Sequence, residues 1–140
     1  ADINRNTMKK YPSMECFSTY FEKRDNYIYL RYKQYSSVDL DEAKEHAKIL
    51  LKLCDGMRYP FILDGLNITA KFTKEARDFF SNHSPLLDLR LAQAFLINNT
   101  PNRLLLKFYL KFHPPSNPVK IFNNLPDAEQ WIKQFNPISL

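Results

Sequence analysis

Glycine is nearly absent: Gly56 and Gly65 are the only two in 140 residues. A loop that cradles phosphate needs glycine where backbone must approach the anion closely. Neither a Walker loop nor a dinucleotide-binding fingerprint can be written here. Cysteine is equally scarce, with Cys16 and Cys54 alone. No second cysteine stands at metal-binding spacing, and His46, His83 and His113 have no partner ligand at such spacing, so no metal site is expected. Cys54 falls at the C-terminal end of an expected helix, where a thiol is not activated, and reads as core filler. The Gly-x-Ser-x-Gly elbow of a hydrolase is also missing. Acidic pairs such as Asp41-Glu42 sit in a first helical turn, where capping and the dipole explain them. The sequence therefore predicts no catalytic residue, no bound cofactor and no enzyme.

No apolar run approaches the ~18 residues of a membrane span. Residues Ala1 to Lys10 are polar and lack the apolar segment of a signal peptide. A cytoplasmic protein with reduced cysteines is the expectation. The last absence is local. From Leu89 to Pro126 there is no Asp or Glu, while Arg90, Arg103, Lys107, Lys111 and Lys120 lie in that stretch, so it carries the whole net charge of +5. Such an excess is either a solvated face or a surface for an acidic partner, a nucleic acid or an anionic membrane.

What is present is an ordinary globular composition, 44% hydrophobic and 25% charged. The length suits one domain. We expect a loose arm over residues 1–13, a domain over 14–136 and a short tail over 137–140. Residues 15–24 and 27–34 read as two strands joined by a turn at Asp25-Asn26, because Ile28, Leu30 and Tyr32 alternate with Tyr27, Tyr29 and Arg31. Asp39 to Cys54 reads as a helix with an Asp39–Glu42 capping box, an apolar face of Leu40, Ala43, Ala47, Leu50, Leu51 and Cys54, and a stop at Gly56. Residues 59–64 form a short buried strand with Pro60 at its beginning. A helix capped by Thr73 follows, then an apolar strand over 91–98. Thr100-Pro101 opens a helix to Phe112. A strand over 118–122 and a final helix carrying Ala128, Trp131, Ile132 and Phe135 inward close the chain. The order β-β-α-β-α-β-α-β-α predicts an α/β domain with a mixed five-stranded sheet and four helices.

Several stretches carry a resemblance. Thr73-Lys74-Glu75-Ala76-Arg77-Asp78, Ala94-Phe95-Leu96-Ile97, Phe108-Tyr109-Leu110-Lys111-Phe112 with Pro114-Pro115, Pro118-Val119-Lys120-Ile121-Phe122, and Asp127-Ala128-Glu129-Gln130-Trp131-Ile132 resemble uncharacterised bacterial STAS-like proteins. That is the fold of anti-sigma-factor antagonists of the SpoIIAA kind. The likeness covers roughly residues 15 to 135. It implies binding to a protein partner rather than catalysis, under control of a phosphorylated Ser or Thr at the start of the second helix. The family's Asp-Ser-Ser-Gly type of sequence is missing here. Thr73 is the nearest candidate, and its other role is a plain N-cap.

The expected third helix motivates a surface. Arg103, Lys107 and Lys111 recur every four residues as a basic stripe. Leu104, Leu105, Phe108 and Phe112 are expected toward the core, leaving Leu106, Tyr109 and Leu110 on the flanks. Arg103, Lys107, Lys111 and Tyr109 are thus the candidate interaction residues, for a protein partner or a second copy. The alternative is a small-molecule or lipid-binding module, since lipid-transfer folds share this broad layout and the chain holds eleven Phe and eight Tyr. Nucleic-acid binding ranks below both, because no stacking platform accompanies the stripe.

Overall fold

The computed structural model describes residues 12–140 apart from Phe17. Most of the expected N-terminal arm lies outside the described residues. The elements are β1 (Ser13–Cys16), β2 (Thr19–Lys23), β3 (Ile28–Tyr32), β4 (Ser36–Val38), α1 (Leu40–Cys54), β5 (Met57–Asp64), β6 (Ala70–Phe72), α2 (Lys74–Asn82), α3 (Ser84–Leu89), β7 (Arg90–Leu96), α4 (Thr100–Phe112), β8 (Val119–Phe122), α5 (Leu125–Ile132) and β9 (Ile138–Ser139).

The main sheet runs in the order β1-β2-β3-β5-β7-β8. The first three strands are antiparallel neighbours, and β3, β5, β7 and β8 pair in parallel. The mixed α/β architecture is as the sequence predicts, and all five expected strands are in it. Two short strands extend it. The expected first strand is divided, because the chain reverses between Cys16 and Thr19 to pair β1 with β2. Residues 137–140, expected as a tail, contain β9, which pairs antiparallel with Met57 and Arg58. A separate parallel pair joins β4 to β6. One helix, α3, is additional to the four expected. Its proline in the first turn suits a helix start.

Alternation along the strands distributes the core to both faces of the sheet. On one face Phe21, Ile28, Leu30 and Phe61 pack with Leu50, Leu53 and Cys54 of α1 and with Leu86 and Leu89 of α3. On the other, Tyr29, Ile62, Ala94 and Leu96 pack with Ala128 and Ile132 of α5. Each such fully buried aliphatic or aromatic side chain contributes about 1.5–3 kcal/mol.

Local chemistry explains the boundaries. Asp39 caps α1 by accepting from the Glu42 N–H at 2.9 Å. The helix ends at Asp55, which has φ +47°, followed by Gly56 at φ +80°, where a glycine costs nothing. Only half of the expected capping box forms, since the Glu42 side chain turns inward to Ser18 and His46 instead of back to the cap. Leu51 is exposed and Leu53 takes its place in the core. Pro60 is not at the beginning of its strand but at the fourth position of β5, buried. It falls where the register between β5 and β7 shifts, which accommodates its missing donor.

Candidate functional site

Helix α4 departs most from an ordinary core helix. Asn99 caps it, accepting from the Asn102 N–H at 2.8 Å, and Pro101 stands in its first turn. Yet none of its thirteen residues is buried. Leu104 is 60% exposed, Leu105 60%, Phe108 63% and Phe112 61%. The orientation expected from sequence is therefore reversed. The stripe assigned to the core is the exposed one, with Leu105 and Phe112 at the edge of the space beneath the helix, and Leu106, Tyr109 and Leu110, assigned to the flanks, are the half-buried ones. Hydrogen bonds decide between the two apolar stripes. Asn102 donates to the Ile68 carbonyl at 3.0 Å. The Tyr109 hydroxyl donates to the Arg77 carbonyl at 2.9 Å and also meets Ser81. Both residues lie on the stripe of Leu106, so that stripe turns in.

The basic residues divide likewise. Arg103 is half-buried, reaching the Ile97 carbonyl at 3.4 Å. Lys107 and Lys111 are exposed beside the outward apolar stripe. Tyr109, expected on the surface, tethers α4 to α2 from inside.

Because α4 is tethered rather than packed, a cavity of about 790 Å³ opens beneath it. Its floor is the sheet face bearing Leu30, Phe61, Leu63 and Phe95; α2 and α4 form its walls. The wall includes Lys71, Arg77 and Arg90 and no Asp or Glu.

Residues 21–136 match the family described as a domain of unknown function, DUF7793. The chain belongs to that family. No curated protein matches the sequence. Among solved structures, an uncharacterised protein of the DUF3478 family from Shewanella loihica PV-4, described as having a SpoIIAA-like fold, is similar at a TM-score of 0.58 and 12% identity. The match covers 89% of this chain and 98% of that one. This DUF7793 chain therefore has a SpoIIAA-like, STAS-type fold, as its sequence resemblance implies.

Thr73 sits at the start of α2 as its N-cap, the hydroxyl accepting from the Ala76 N–H at 3.1 Å. Asp64, at the end of β5, is buried and fully engaged. Tyr29 donates its hydroxyl to it, Arg31 pairs with it at 3.1 Å, and the Leu66 N–H donates at 3.0 Å. Burial pushes the Tyr29 hydroxyl up to about 12, so it remains a donor to that carboxylate at neutral pH.

A cluster missed in the sequence lies between β1 and α1. Cys16, Glu42 and His46 are buried with their ligating atoms within 4.8 Å of one another. The sequence reading pairs His46 with no ligand, and nothing local places Cys16 beside Glu42 and His46. The donor set is one that zinc accepts. Here the carboxylate already receives the Ser18 hydroxyl and meets His46 Nε2 at 3.1 Å. Burial raises the Cys16 thiol, with Glu42 adding to the effect, and pushes Cys54 up to about 12. Both cysteines are free thiols. No helix among the described residues is long and apolar enough to cross a membrane.

Proposed function

We propose that this chain is a non-catalytic interaction module of regulatory type that binds an acidic, apolar-faced protein segment on the outward side of α4. One observation carries the reading: α4 holds four large apolar side chains about 60% exposed in a row beside Lys107 and Lys111. Contiguous apolar surface rimmed by charge marks interaction sites. The partner's sign follows from the acid-free stretch between Leu89 and Pro126. Two copies meeting through α4 would set like charges against each other, which disfavours self-association through this face. The STAS-like fold is consistent with binding, and the non-catalytic part rests on thiols protonated by burial and on an Asp64 already held by three donors.

Selection of displayed random peptides on the purified chain tests the proposal. The expected result is a consensus that combines Asp or Glu with Leu or Phe, whose binding is lost in Lys107→Glu/Lys111→Glu. Absence of any consensus, a consensus without acid, or binding indifferent to the double variant would each overturn it.

A further inference from the structure

The floor of the cavity under α4 holds a charge without a counter-charge among the described residues. Arg90 opens β7 and lines the cavity. Among the described residues its guanidinium makes one hydrogen bond, a long one of 3.4 Å to the Phe80 carbonyl, and no carboxylate pairs with it. The surrounding protein desolvates the guanidinium enough to push its pKa below the ordinary arginine value, with Tyr32 and Tyr109 near enough to oppose that shift. The Tyr32 hydroxyl, also on the cavity wall, has no hydrogen-bond partner among the described residues, and burial raises it to about 12. It is therefore a standing donor. Charges withdrawn from water, as half-buried Arg90 partly is, are usually paired or coordinated, and a cavity wall with three cations and no acid supplies no internal partner. The rest of the lining is predominantly aliphatic and aromatic, with His46, Gln93, Asn102 and His113 among its polar members, and 790 Å³ lies within the range of sites that enclose small organic ligands.

We propose that this cavity binds a small amphipathic carboxylate, with its apolar tail along the sheet face between Leu30, Phe61 and Phe95 and its head on Arg90. A carboxylate matches the planar fork of a guanidinium with two parallel hydrogen bonds, and the Tyr32 hydroxyl supplies a third donor. The site shares Leu105 and Phe112 with the exposed stripe of α4 but neither Lys107 nor Lys111, and it goes beyond the peptide-binding reading.

Calorimetric titration of the full chain with dodecanoate, and with dodecanol as the uncharged match, tests the assignment. Dodecanoate is expected to bind at least about 30-fold more tightly than dodecanol, as befits a buried charge pair. Arg90→Met should abolish that preference, and Arg90→Lys, which keeps the charge without the fork, should retain part of it. Leu106→Trp, which fills the space behind α4, should remove binding of both compounds, with thermal unfolding showing that each variant folds. Lys107→Glu/Lys111→Glu should leave dodecanoate binding unchanged, so the two proposals fail separately. Binding of neither compound overturns the site. Equal binding of both, a preference that survives Arg90→Met, or loss through the outward lysine variant overturns the head-group assignment.

Discussion

Glu42 and His46 sit one turn apart on α1, both buried, with the carboxylate receiving the Ser18 hydroxyl and facing the imidazole. Phe21 meets the His46 ring edge-on at 5.0 Å and Phe80 stacks on it at 5.9 Å. Burial lowers the His46 pKa below its ordinary 6.5, with Glu42 only partly opposing. The folded protein thus keeps the imidazole neutral where the unfolded chain protonates it. Below about pH 6.5 protons favour the unfolded chain, so stability falls as the pH drops, by at most about 1.4 kcal/mol per pH unit from this group. Above that pH the group contributes no slope. Urea midpoints measured from pH 7.5 to 5 should show the fall in wild type and a flatter limb in His46→Gln. Parallel limbs would assign the acid sensitivity elsewhere. In sequence, Glu42 read as half of a capping box because that rule sees only three residues. Its burial depends on Ser18 and His46, and Ser18 arrives from a turn with no glycine or proline to announce it. Arg90 was visible only as one of five unbalanced charges, since the cavity around it is made by residues of β3, α1, β5, β6, α2, α3 and α4, which the chain order separates.

At the scale of elements, α1 and α4 have similar sequence patterns and opposite fates. The first packs between β-sheet and α2 with seven buried residues, the second has none. Few buried apolar contacts make a helix open locally without unfolding the rest. Hydrogen exchange should therefore be faster along α4 than along α1. Asn99→Ala removes the cap of α4 at a cost of about 1 kcal/mol, which should raise α4 exchange about five-fold while the global unfolding temperature stays put. Joint exchange of α4 with α1, or a fall in the global transition, would show that α4 belongs to the core unit. The existence of both helices was plain from caps, prolines and Gly56. The side α4 turns inward was not, because it carries two apolar stripes and periodicity cannot rank them. Asn102 and Tyr109, polar residues sharing one stripe, were the available signal. β4 and β6, three residues each, are too short for alternation to register.

For the molecule as a whole, the order of strands and helices along the chain and the mixed sheet were legible because each of the central strands has its own pattern: period two in β3, continuous apolar runs in β5 and β7. The SpoIIAA-like neighbour places the same layout in a chain only 12% identical. Patterning and turn chemistry thus carry the fold, while the exposed face of α4 and the cavity depend on how far α4 stands from the sheet, a tertiary distance that no local rule encodes. That distance is the centre of the functional account. If the outward stripe is a binding surface and not core, making it polar must leave the free protein as stable as before. The direct measurement is equilibrium urea unfolding of Leu104→Gln/Phe108→Gln against wild type. We predict a change within about 0.5 kcal/mol per site, as for exposed positions. A loss of about 3–5 kcal/mol or more, the scale of core truncations, would mean that these side chains hold the fold together and that α4 offers no free face.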